Sequence, residues 1–130
     1  MHIEIFSLCD AAAEYAGKLS ILGVFDTIWA KQCPIAYPQC AIALRIRFTT
    51  IERGDHKIVV HCVDLDGKHM IPPAEGVVSI QFPDDLGSAG TNFILNIQQL
   101  KLENFGEHAI RLAVDGREEA ILPLFFKKRD

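Results

Sequence analysis

The sequence predicts an all-β fold, a two-sheet antiparallel β-sandwich, and three observations carry that expectation. Ile42, Leu44, Ile46 and Phe48 alternate with Ala43, Arg45, Arg47 and Thr49, the two-residue period of a strand with one dry face and one wet face. Similar runs recur along the chain, separated by Gly, Pro, Asp and Asn clusters that mark turns. Almost nothing reads as helix. About eight short strands at near-regular spacing point to an immunoglobulin-like or related Greek-key sandwich, with a closed barrel as the alternative.

His2 to Leu8 alternates weakly and forms an N-terminal strand. The segment from Asp10 to Gly17 then reads as one short helical turn near residues 10–16. Asp10 caps the free amides, three alanines favour helix, and Gly17 takes the left-handed stop. Lys18 to Ala30 is apolar and β-rich, either one bent strand or two short ones, with Gly23 marking a bulge or a close backbone approach. Pro34 and Pro38 make the next segment a loop.

The run from Ala41 to Thr49 leads through Glu52-Arg53-Gly54-Asp55 into a second strand, Lys57 to Val63. Two registers fit this pair: a three-residue turn points Ile58, Val60 and Cys62 inward, a two-residue turn Val59, His61 and Val63. Asp66-Gly67 signals a type I′ hairpin in which Leu65 faces Lys68 and Asp64 faces His69. Val77 to Phe82 is a further one-sided strand, Pro83 to Gly90 a surface loop, and Asn92 to Ile97 another strand. Leu100 to Glu107 crosses a corner and drops apolar anchors inward. A last hairpin pairs Ala109–Val114 with Ala120–Phe126; a type II′ turn at Gly116-Arg117 would set Leu112 against Ile121 and Ile110 against Pro123.

A chain of 130 residues suits one domain over 1–130, long enough to bury roughly two-thirds of the surface it exposes when unfolded. With 49% apolar and 23% charged residues it belongs among ordinary globular proteins, not disordered ones. The net charge is −4 and the only basic run is Lys127-Lys128-Arg129, too small for a nucleic-acid footprint. Met1 to Cys9 has neither a basic leader nor an apolar core of signal-peptide length, and no run of about 18 apolar residues could span a bilayer as a helix. The expectation is a cytoplasmic protein without membrane or nucleic-acid partners and with no cofactor. Cys9, Cys33, Cys40 and Cys62 match no zinc spacing, and reduced thiols are preferred over a local Cys33–Cys40 bridge.

Three blocks, Leu8-Cys9-Asp10, Gly17-Lys18-Leu19-Ser20-Ile21-Leu22-Gly23-Val24-Phe25-Asp26 and Phe105-Gly106-Glu107-His108-Ala109-Ile110-Arg111-Leu112 with Asp115-Gly116, together resemble a bacterial family of short proteins known as a domain of unknown function. The resemblance runs along nearly the whole chain and implies no activity. The late block also resembles the glycine, acidic residue, tyrosine entry to a penultimate strand in fibronectin-like and carbohydrate-binding sandwiches, with His108 where tyrosine is usual. That pattern implies fold only.

A calcium site needs six to eight oxygens converging from loops, and Asp64, Asp66, Asp84 and Asp85 are the candidates, with His69 nearby and Asp26 and Asp115 more distant. Turn geometry and Asx hydrogen bonds explain these acids without a metal, and that reading is preferred. A zinc or nucleophilic site could draw on Cys62, His61, Asp64 and His69, and a weaker one on Cys9-Asp10, where capping and core filling are the preferred roles. No phosphate loop, G-x-S-x-G or H-E-x-x-H motif is present, which favours a non-enzyme.

The remaining candidates are aromatic or apolar. Adjacent side chains of a strand point opposite ways, so Phe125 and Phe126 cannot both face the core, nor can Ile28 and Trp29. Together with Tyr37 these suggest a surface for self-association or for another protein. The leading expectation is a non-catalytic interaction module that forms homo-oligomers. The alternatives are a small-molecule or glycan-binding module that stacks its ligand on Trp29 or Tyr37, and a metal-binding domain or enzyme built on Cys62, His61, Asp64 and His69.

Overall fold

A computed structural model describes residues 1–130. It contains nine strands: β1 (His2–Tyr15), β2 (Lys18–Val24), β3 (Thr27–Ala30), β4 (Ile35–Thr49), β5 (Gly54–Val63), β6 (Ala74–Ile80), β7 (Ser88–Leu102), β8 (Gly106–Val114) and β9 (Arg117–Lys128). One sheet has the order β2-β1-β4-β7 and the other β3-β9-β8-β5-β6. All pairs are antiparallel except β3 with β9. The two sheets enclose one core, floored by Ile42, Leu44, Ile46 and Phe48 of β4 and roofed by Ile58, Val60, Ile110, Leu112, Leu124 and Phe126. This is the expected all-β sandwich.

Five sequence expectations are corrected. The Pro34–Pro38 loop is one: β4 begins at Ile35 and runs through Pro38, where the pairing with β1, which ends at Ala41, does not reach. Residues 10–16 are not helical; residues 10–15 continue β1, which pairs with β2 from Cys9↔Val24 to Tyr15↔Lys18. A glycine with positive φ serves a helix stop and a type I′ turn equally well, and here Ala16 (φ 51) and Gly17 (φ 73) form the turn. Strand pairing with the β-rich partner overrides the alanine propensity.

The strands β4 and β5 are not a pair. A 3₁₀ turn at Thr50–Glu52 lifts the chain from one sheet to the other, so they face each other across the core. Of the two facings considered, the one with Ile58, Val60 and Cys62 inward is found, although no hairpin sets it.

Nor does Asp64 face His69. Val63 bridges to His69, and residues 64–68 form a wider turn in which Asp64 Oδ1 accepts from the amides of Asp66 and Lys68, each at 2.9 Å. The last hairpin turns at Asp115 (φ 52) and Gly116 (φ 80), giving Val114↔Arg117, and a bulge at Leu112/Ala113 sets Leu112↔Ala120 and Ile110↔Leu122. Asp115 tolerates the left-handed conformation, and its Oδ1 accepts from the Lys57 amide at 2.9 Å. The one-residue change sends Ile121 and Pro123 outward.

The segment Lys18–Ala30 is two strands that break at Phe25-Asp26. Gly23 (φ 70) marks a close approach: a Cβ there would stand 2.4 Å from Asp10 Oδ2. This lets the β1–β2 hairpin fold back over its own sheet. Ala41 and Ala43 sit on the outer side of β4, yet both are buried, under Cys9, Ala12, Leu19 and Ile21. At the hairpin tip, Asn92 Nδ2 of β7 donates to the Gly17 carbonyl at 3.2 Å.

Candidate functional site

The outer face of the five-stranded sheet has no comparable cover. Along β9, Leu122, Leu124 and Phe126 enter the core, so Ile121, Pro123, Phe125 and Lys127 face out. Phe126 is 1% exposed and Ile28 4%, whereas Trp29 is 50% exposed. Each adjacent pair therefore divides between the two faces. Trp29 lies opposite Lys127 in the parallel β3–β9 register, and Lys127 Nζ sits 5.7 Å from the Trp29 ring centre and 5.9 Å from that of Phe125. Across the sheet Val77 of the edge strand β6 is 67% exposed. Tyr37 does not join this surface: it is half-buried in the other sheet, 5.8 Å from the Phe25 ring, and burial pushes its phenol pKa up.

Ionic groups on the outer face are matched locally. Arg111 Nη1 meets Glu118 Oε1 at 2.7 Å and Lys57 Nζ meets Glu75 Oε2 at 3.6 Å. In the middle His61 lies opposite Arg111, with its ring 5.4 Å from that of His69. These groups, with Glu107, Ile121 and Pro123, line an open concavity of about 780 Å³.

The candidate nucleophile and metal sets do not assemble. Cys62 is wholly buried on the inner side of β5, its thiol pushed up to about 12 by burial, while His61 points the opposite way. Asp64 spends its carboxylate on its own turn. Asp84 pairs with Arg53 at 2.6 Å beside the start of β5, and Asp64 follows its end; the ten residues between span about 33 Å, so Asp64 and Asp66 cannot share a cation with Asp84 and Asp85. No three His, Cys, Asp or Glu side chains are grouped to hold a metal ion. Cys9 is buried with its Sγ 3.4 Å from the Ala41 carbonyl, and burial raises its pKa, the reverse of an activated thiolate. All four cysteines are free.

His108, in the place of the usual tyrosine, is buried and donates from Nδ1 to the Gly106 carbonyl at 3.1 Å, with its ring against Phe126.

One cluster escaped sequence reading. His56 stacks on Phe48 with ring centres 4.5 Å apart. Its Nδ1 meets Asp115 Oδ2 at 2.6 Å and its Nε2 meets the Glu52 carbonyl at 2.5 Å. These bonds raise the His56 pKa, led by the Glu52 carbonyl, and hydrogen bonding to His56 lowers that of Asp115. Glu52 Oε1 accepts from Thr49 N, Thr49 Oγ1 and the Met1 amine, holding its pKa down to about 2. Only the Thr-x-x-Glu spacing of Thr49 and Glu52 was readable beforehand, as a capping box.

With this geometry in place, comparison with known proteins decides the relationship. The model of a family of unknown function, DUF6941, matches residues 4–127. The chain belongs to this family. No curated protein matches it in sequence. Among solved structures it is similar to the beta-glucosidase from Listeria innocua in complex with isofagomine, at 12% identity and a TM-score of 0.54 over 98% of this chain. The same enzyme without that ligand gives 12% and 0.52 over 98%, and a mutant in complex with laminaribiose gives 12% and 0.51 over 97%. The chain spans 16% of the length of each of those chains. At such identity the likeness is one of fold.

No helix is long and apolar enough to cross a membrane.

Proposed function

We propose that this chain is a non-catalytic interaction module that associates with a second copy of itself through the outer face of the five-stranded sheet. The observation that carries this reading is an asymmetry. The outer side of the four-stranded sheet carries the chain's own hairpin over Ala41 and Ala43. Although that hairpin exposes Tyr15, Leu22 and Val24 in turn, Trp29, Ile121 and Val77 lie open directly on the other sheet with Phe125 part-buried beside them. A like copy suits the face because a two-fold interface must complement itself, and the Arg111–Glu118 and Lys57–Glu75 pairs supply both signs in one patch although the chain carries −4. The strands β3, β9, β8, β5 and β6, of 4, 12, 9, 10 and 7 residues, give about 670 Å² at about 3.3 by 4.8 Å per residue, so two copies bury about 1,300 Å², the lower part of the range for specific interfaces. Four free thiols suit the bacterial cytoplasm expected from sequence. Amide spectra recorded on dilution from about 1 mM to about 10 μM test the face. Shifts confined to the outer face of β3, β9, β8, β5 and β6 support it, and shifts confined to the β1–β2 hairpin or none at all refute it.

A second reading is favoured by the concavity of about 780 Å³ on the same face, where His61, His69, Arg111 and Glu107 stand over apolar Val63, Ile121 and Pro123. Such a mixture suits a small sugar, and the similar solved structures are beta-glucosidases. Laminaribiose titrated into the labelled protein should then move His61 and Arg111 signals before any signal on β3; an unchanged spectrum at about 10 mM discards this reading.

A further inference from the structure

We infer that His56 is a proton-operated latch that ties the β4–β5 turn to the rest of that end of the sandwich. The inference is independent of self-association. An imidazole has two ring nitrogens, and here each confronts a group that can only accept: the Asp115 carboxylate at 2.6 Å and the Glu52 backbone carbonyl at 2.5 Å. Both contacts are satisfied at once only when both nitrogens carry a proton. Loss of either proton sets a lone pair against an oxygen, so the latch opens on the alkaline side.

The charged groups around the ring come from every neighbouring element. The β4–β5 turn supplies Glu52, whose carboxylate is turned to Thr49 and the Met1 amine; the β8–β9 turn supplies Asp115 and, lining the same recess, Arg117 and Glu119. From β4 comes only the Phe48 ring beneath.

The two turns are not held equally. Asp115 keeps its Oδ1 on the Lys57 amide at 2.9 Å, and its own amide donates to the Lys57 carbonyl at 2.9 Å. The β8–β9 turn therefore stays docked when His56 deprotonates. Glu52 has no such second tie to β5. What is released is the Glu52 carbonyl, beside the exposed Ile51, while Thr50 Oγ1 stays on the Gly87 carbonyl at 3.2 Å and Arg53 on Asp84 at 2.6 Å.

Ring and amide nitrogen spectra from pH 5.5 to 8.5 test the latch. The expected result is a His56 midpoint above the ordinary histidine value of about 6.5, with the Thr50–Arg53 amides moving at that midpoint and Asp115 and Gly116 moving less. Asp115→Asn should lower that midpoint by about one pH unit, by removing the neighbouring negative charge. His56→Gln should remove the transition that the Thr50–Arg53 amides show at the His56 midpoint. A His56 midpoint at or below the ordinary histidine value of about 6.5, turn amides that ignore it, or no change in Asp115→Asn would each overturn the inference. The Asn variant keeps the test open if the Gln variant fails to fold.

Discussion

The four thiols differ because of the faces on which their strands place them. Cys62 and Cys40 lie in the core with pKa values pushed up to about 12 and about 11, chiefly by burial, and Cys9 is sealed under the hairpin. Only Cys33 is part-exposed. A thiol-reactive chromophore should therefore label one cysteine per native chain and four after denaturation; fast labelling of Cys62 in the native protein would contradict its placement. The acid–base groups set a stability profile with opposite slopes. His56 has a raised folded pKa, so its contribution is complete below 6.5 and disappears as pH rises through the folded value. Glu52 and Asp115 are lowered, so theirs are complete above 4.5 and 3.8 and disappear as pH falls, for Glu52 towards about 2. Thermal unfolding from pH 3 to 9 should give its highest Tm between about 4.5 and 6.5, and His56→Gln should flatten the alkaline side only. A wild-type Tm that climbs steadily to pH 9 would exclude this assignment.

Among the elements, the β1–β2 hairpin depends on small side chains beneath it. Ala43 is fully buried between the hairpin and the sheet, while its neighbours Ile42 and Leu44 fill the core from the opposite face. Ala43→Glu puts an unpaired carboxylate under the hairpin at a cost of at least about 2 kcal/mol. The variant should lose amide protection over Ala11–Leu22 and keep it in the β5–β8 pairing; equal protection throughout would show that the hairpin does not depend on this contact. Gly23→Ala should act on the same element, since a left-handed alanine costs about 1–2 kcal/mol before any contact with Asp10.

The strand β8 was legible in the sequence because it buries one face and the two-residue period records it; β4 shows the same period although its outer Ala41 and Ala43 are buried as well. The hairpin was not. Its alanines carry no period, and Gly17 satisfies a helix stop or a type I′ turn with the same φ. The β8–β9 register was missed by one residue because a bulge at Leu112/Ala113 leaves no mark in the apolar pattern. Opposed facing at Trp29 and Phe125 followed from strand geometry alone, but which member of each pair faced out needed the sheet order. The His56, Asp115 and Glu52 cluster was invisible because His56 and Asp115 stand 59 residues apart and only folding joins them.

The whole molecule is an unequally covered sandwich, with a hairpin laid over Ala41 and Ala43 on one outer side and no such cover on the other. Exposed Trp29, Ile121 and Val77 around matched ion pairs are what a two-fold contact between like surfaces requires. Replacing Lys127 with alanine removes the cation over Trp29 and Phe125, and should change self-affinity by less than about 1 kcal/mol. The decisive measurement is the sedimentation-derived mass of wild type and of Trp29→Glu/Ile121→Glu at about 100 μM. The bare face predicts twice the chain mass for wild type and a single chain mass for a variant of unchanged circular dichroism. A monomeric wild type, or a variant that still dimerises, would contradict it.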